Sequence, residues 1–118
     1  MSQINVRLIQ LTTAGAGTGS VSVATSGLVR AIGILKGDLD TPDIAITDGL
    51  TGAPVLSVAG VAADTRYQPS VPQQDESGAD LDTDPIIYGP PVITGRMDVA
   101  ISGAGNYHHG QLVLVIER

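Results

Sequence analysis

Short runs of alternating apolar and polar residues dominate the chain. Val21 and Val23 alternate with Ser20 and Ser22, Ile44 and Ile46 sit among Asp43, Ala45 and Thr47, and Met97, Val99 and Ile101 alternate with Asp98, Ala100 and Ser102. A period of two sends successive side chains to opposite faces of a strand, so each run predicts a β-strand with one buried face. Near the carboxyl end, Leu112, Leu114 and Ile116 share one face, and Gln111, Val113 and Val115 share the other. Val113 and Val115 make this last strand apolar on both sides. That places it centrally in a sheet or in a contact between subunits.

Two runs are less regular. From Ile4 to Leu11 the apolar phase changes, with Ile4, Val6 and Leu8 on one parity and Ile9 and Leu11 on the other. A bulge, or a strand that crosses between sheets, is expected there. The run from Leu28 to Lys36 is long enough for a helix. Glycines at Gly27, Gly33 and Gly37 and its branched residues make it a strand. Turn signals separate the runs at Lys36-Gly37-Asp38, Thr41-Pro42-Asp43, Asp48-Gly49, Thr51-Gly52 and from Ser102 to Asn106. The pattern predicts an all-β, single-domain β-sandwich over residues 1–118, immunoglobulin-like or jelly-roll-like. About eight short strands are expected.

Residues 66–85 break the alternation. They read RYQPSVPQQDESGADLDTDP, polar and acidic, with Pro69, Pro72 and Pro85. A long connection without periodicity is uncommon in a compact domain and points to a functional loop or a solvated excursion.

Composition narrows the function. The 118 residues contain no cysteine, which excludes disulfides and thiolate metal sites. The formal charge is −6, and no basic run is present, which argues against binding nucleic acid. With three Tyr and no Phe or Trp, stacking platforms for bases or sugars are not expected, and the core must be aliphatic. No run approaches the roughly 20 apolar residues of a membrane span. Asn5, Arg7 and Gln10 interrupt the first apolar run, so an export signal is not expected either.

Candidate chemistry is sparse. Gly15, Gly17 and Gly19 give G-x-G-x-G, but a dinucleotide loop needs G-x-G-x-x-G opening a helix, and a strand pattern follows here. Asp80, Asp82 and Asp84 match the first ligand positions of a calcium loop. Pro85 replaces its required glycine and Pro91 its bidentate glutamate, so at most a looser cation site is left. An acidic loop that only keeps the protein soluble gives the same pattern. His108 and His109 are adjacent and would point to opposite faces of a strand, so they cannot jointly hold a metal or form a relay. Pro69-Ser70-Val71-Pro72 matches P-x-x-P in an acidic setting and carries no weight. No catalytic residue, cofactor or resident metal is expected.

Two stretches together resemble small structural proteins of tailed bacteriophages that accompany the major capsid protein. They are SGLVRAIGILKGDLDTPDIAITDGLTGAPVLS (26–57) and PVITGRMDVAISGAGNYHHGQLVLVIE (91–117). The shared layout is a strand entered through G-x-x-x-x-I, a K-G-D-x-D turn, an I-x-I-T strand, a Gly-rich hairpin and a last aliphatic strand. It covers about half the chain and includes no catalytic signature.

The resemblance implies a non-enzymatic virion protein, assembled in the bacterial cytoplasm. The role it implies is a decoration or cement protein that binds the major capsid protein on the capsid exterior. It further implies a homo-oligomer, a trimer, since capsid decoration sites commonly lie on three-fold axes. A head-tail or tail component is the alternative within the class. A cation- or ligand-binding β-module using the acidic loop is the alternative outside it. The expected partner-binding residues are Gln68, Val71, Gln73, Asp75, Glu76 and Asp80 in the loop, with Val113 and Val115 on the last strand.

Overall fold

The computed structural model describes residues 3–72, 88–105 and 107–118. Its strands are β1 (Ile4–Thr12), β2 (Gly19–Leu35), β3 (Asp43–Asp48), β4 (Pro54–Val58), β5 (Thr65–Tyr67), β6 (Val71–Pro72), β7 (Tyr88–Gly89), β8 (Val92–Ser102) and β9 (His109–Glu117). No helix occurs among the described residues, and the fold is all-β and antiparallel throughout.

Seven strands form one continuous sheet in the order β1-β9-β2-β8-β3-β4, with β5 added beside β2. β6 and β7 make a separate two-stranded ribbon. The organising element is β2, a strand of 17 residues. Its first part, Gly19 to Leu28, pairs with β8, and its second part, Leu28 to Leu35, pairs with β9. One strand thus serves both halves of a sandwich: β2-β8-β3-β4 on one side and β1-β9-β2-β5 on the other.

Gly27 marks the changeover, with φ +135° and an extrapolated Cβ only 2.4 Å from the Glu117 carbonyl oxygen. A register shift between Val29 and Ala31, opposite Ile116, adds the local twist that a bulge supplies.

The alternation seen in the sequence sorts as expected. Val23, Ile32, Ile34, Ile44, Ile46, Ile93, Met97, Val99, Ile101, Leu112, Leu114 and Ile116 are buried in a single aliphatic core. Leu39 and Val61, from connecting segments, and Tyr67, from β5, close over it. β9 lies between β1 and β2, the central position expected for a strand apolar on both faces.

Two expectations are corrected. β1 pairs with β9 from Ile4↔Glu117 to Thr12↔His109 without interruption, so it carries no bulge and does not change sheets. Its phase change is a change of face: Ile9 and Leu11 point inward, whereas Ile4, Val6 and Leu8 are 56%, 64% and 66% exposed on the outside. The inward positions nearer the start hold Asn5 and Arg7, and the Arg7 guanidinium donates to the Ala24 carbonyl of β2 at 2.7 Å. The long loop also begins later than expected. Arg66 and Tyr67 belong to β5, where Gly33↔Arg66 and Ile32↔Tyr67 are paired, and Val71 and Pro72 pair with Tyr88 and Gly89.

Candidate functional site

The outward face of β1, β9 and the second half of β2 gathers Ile4, Val6, Leu8 and Leu35, four of the large apolar side chains that are exposed among the described residues. Register builds it row by row. Val6 stands opposite Val115, which stands opposite Ala31; Leu8 stands opposite Val113, which stands opposite Gly33. Ile4 extends the stripe toward one end, and Leu35, 38% exposed, extends it toward the other. Because Gly33 has no side chain, the surface dips between Val113 and β5. The result is a shallow groove of about 450 Å³ lined by Ala31, Gly33, Leu35, Val113, Val115 and the 64–66 segment.

Cross-strand apolar pairs of this kind stabilise a sheet when covered. Here Ile4, Val6 and Leu8 face solvent. A contiguous apolar patch with a polar rim is the usual mark of an association surface. Polar truncation separates this role from a role in folding. Val6→Ser and Leu8→Ser are each expected to change stability by no more than about 0.5 kcal/mol in chemical denaturation. Leu114→Ala, on the inward side of β9, should cost about 3 kcal/mol.

The outer face of the other half contrasts with it. One row runs Ser20, Ala100, Ala45, Ser57 across β2, β8, β3 and β4. This row is built of small residues, and Ala45, Ser57 and Ala100 line a shallow hollow in it.

At the end of the sandwich where β1 turns into β2, three connections lock together, and the histidines lie there. The Thr13 hydroxyl donates to the Gly105 carbonyl at 2.7 Å and accepts from the His108 amide at 2.9 Å. The Ala104 amide donates to the Gly17 carbonyl and the Asp40 amide to the Ala104 carbonyl. The His109 amide donates to Asp38 Oδ1 at 2.6 Å, and His108 Nδ1 lies 3.5 Å from Asp38 Oδ2. The hydrogen bond from the His109 amide does most to hold the Asp38 carboxyl below its ordinary range; desolvation opposes it, and the nearby His108 ring adds to the lowering. Gly105 packs against the His108 ring, where an added Cβ would sit 2.2 Å from Cδ2. These contacts tie loops to one another, and His108 serves as a brace.

A second carboxylate, unlike Asp38, is buried. Asp48, at the end of β3, is 1% exposed. It accepts from the Thr51 amide and hydroxyl and from the Thr94 amide and hydroxyl. Burial alone would raise its pKa, but these hydrogen bonds outweigh it and leave the carboxyl below its ordinary value. The arrangement pins the β3–β4 hairpin to β8. Sequence reading registered Asp48-Gly49 only as a turn.

The expected partner-binding residues separate into two groups. Val113 and Val115 lie half-buried in the apolar face. Gln68 is exposed and Val71 half-buried in the segment from β5 to β6, beside a notch lined by Arg30, Arg66, Gln68, Pro69 and Gly89. Gln73, Asp75, Glu76 and Asp80 lie outside the described residues, as does the looser cation site that Asp80, Asp82 and Asp84 would form. Among the described residues no three metal-ligating side chains converge. No helix among them is long and apolar enough to cross a membrane. Ile4, Val6 and Leu8, the most exposed part of the face, were not among the expected partner residues; their parity break was the signal.

Comparison with protein-family models, with curated proteins and with solved structures finds no match for this chain.

Proposed function

We propose that the protein is a non-enzymatic structural component of a bacteriophage virion, a decoration or cement protein that binds the major capsid protein on the outer shell. The observation that carries the reading is the exposed apolar face of β1, β9 and β2, a surface fit for assembly. Its conformity to the resembled layout adds to this. The segment G-L-V-R-A-I forms the second half of β2, K-G-D-L-D the turn after it, I-A-I-T most of β3, and the last hairpin joins β8 to β9.

A cement protein needs a rigid frame with surfaces that dock, and symmetry multiplies contacts that are weak one at a time. The long β2, shared between both halves, supplies such a frame. The side-chain networks at Thr13 and Asp48 are explained by loop bracing.

Mass spectrometry of purified virions, from the phage whose genome carries this gene, tests the reading. The chain is expected in washed particles at a copy number comparable with that of shell subunits. Its absence from the particles, with strong expression during infection, would contradict the proposal.

A further inference from the structure

Gly33 lies inside β2, and nothing in the chain itself requires a glycine there. Its backbone lies outside the left-handed region, and an added Cβ would meet Val113 at 3.5 Å, an ordinary contact. Gly27 and Gly110 differ. A Cβ there would lie 2.4 Å from the Glu117 carbonyl oxygen and 2.5 Å from Leu39. A glycine inside a strand weakens it, and where neither conformation nor packing calls for one it often marks the close approach of a ligand or another chain. At Gly33 the missing side chain leaves the dip bounded by Val113 and Val115 of β9 and by Arg66 of β5.

The shape and charge of the dip say what would enter it. Ala31, Gly33 and Leu35 line it at two-residue steps along β2. Each step is about 6.8 Å, the repeat at which an extended chain presents its own side chains to one face. The flanking strands β9 and β5 stand about 10 Å apart across β2, a width that a helix of about 10–12 Å overfills and a single extended chain does not. Arg66 stands directly opposite Gly33. Arg30 pairs with Glu117 and Arg96 with Asp98, but the Arg66 guanidinium has no ion pair among the described residues. Asp64, beside it in the dip, is engaged by the Lys36 amide at 2.9 Å. An apolar trough with an uncompensated cation on its wall complements an apolar side chain next to a carboxylate.

We propose that the dip at Gly33 seats an apolar side chain from an extended segment of the shell protein, and that a carboxylate one or two residues along the same segment pairs with Arg66. The inference rests on the shell-binding role and adds the chemistry of the partner. The segment lies along β2, between β9 and β5, and Gly33 selects it by leaving room for its side chain.

Co-sedimentation with shells of the major capsid protein, together with thermal melts of each variant, tests it. Gly33→Val fills the dip with a residue that favours a strand, so the melting temperature should stay level or rise. Its affinity for shells should fall at least about tenfold. Arg66→Glu should lose affinity by a similar factor while melting close to the parent, and Arg66→Lys, which keeps the charge, should lose less. Ser57→Glu, on the outer face of the other half, should bind as the parent does. Parent-like binding by both Gly33→Val and Arg66→Glu would overturn the inference and leave the shell role standing, whereas a parent that binds no shell would overturn both. A Gly33→Val chain that melts well below the parent would also overturn it, because the fold itself would then need the glycine. So would a dimer of the parent, seen by sedimentation of the chain alone, that dissociates in Gly33→Val, since the dip would then hold a second copy.

Discussion

Gly27→Val is expected to destabilise the fold by at least about 3 kcal/mol. Two causes act together. The backbone at Gly27 has φ +135°, a region that side chains strongly disfavour. An added Cβ would also lie 2.4 Å from the Glu117 carbonyl oxygen, which belongs to the backbone of β9 and cannot rotate away. Relief would require β2 and β9 to separate where β2 passes from one half of the sandwich to the other. Gly52→Ala provides the comparison. Gly52 has φ +76° but nothing within 4 Å of an added Cβ, so only the backbone term of about 1 kcal/mol is expected. Urea denaturation of the two variants measures both. Equal losses would mean that the close approach at Gly27 does not hold β2 in place.

Asp48→Ala is expected to cost about 3 kcal/mol, because it leaves the Thr51 and Thr94 amide and hydroxyl donors without their buried acceptor. Asp48→Asn should cost less, since one acceptor oxygen stays in place. The carboxyl also makes stability depend on pH. Its folded-state pKa lies below the ordinary carboxylate value, so folding favours the ionised form. That contribution is complete above the unfolded-state value of about 4 and is lost as pH falls through the lower folded-state value. Urea midpoints measured from neutral pH downward should therefore fall more steeply below about pH 4 in the parent than in Asp48→Asn. Parallel curves would show that the hydrogen bonds do not favour the carboxylate.

The strands were legible in the sequence because each buries one face of a common core, which writes a period of two into Val21 to Val23, Ile44 to Ile46 and Met97 to Ile101. What joins them was less legible. Nothing local in the run from Ser20 to Lys36 says that one strand changes partners at Gly27, because pairing depends on residues about 65 to 90 positions away. β5 escaped for a related reason. A three-residue edge strand needs only Tyr67 turned inward, too little to create a period.

The outward apolar face was half visible in the sequence. Val113 and Val115 showed it, because apolar residues on both faces of a strand demand a second layer. Ile4, Val6 and Leu8 carried the same message, but their change of parity had two physical explanations, a bent strand or an apolar outside. Only the uninterrupted register with β9 decides for the second. Asp48 was hidden because a carboxylate before glycine is an ordinary turn signal, and its Thr94 partner lies 46 residues away.

The capsid role is tested most directly by reconstitution. Shells assembled from the major capsid protein of the same phage genome would be mixed with increasing amounts of the purified chain and sedimented. The proposed role requires the chain to co-sediment and to saturate at a fixed ratio to shell subunits, with the decorated shells more resistant to heat or denaturant than bare ones. A chain that stays wholly in the supernatant, at concentrations well above that of the shell subunits, would contradict it.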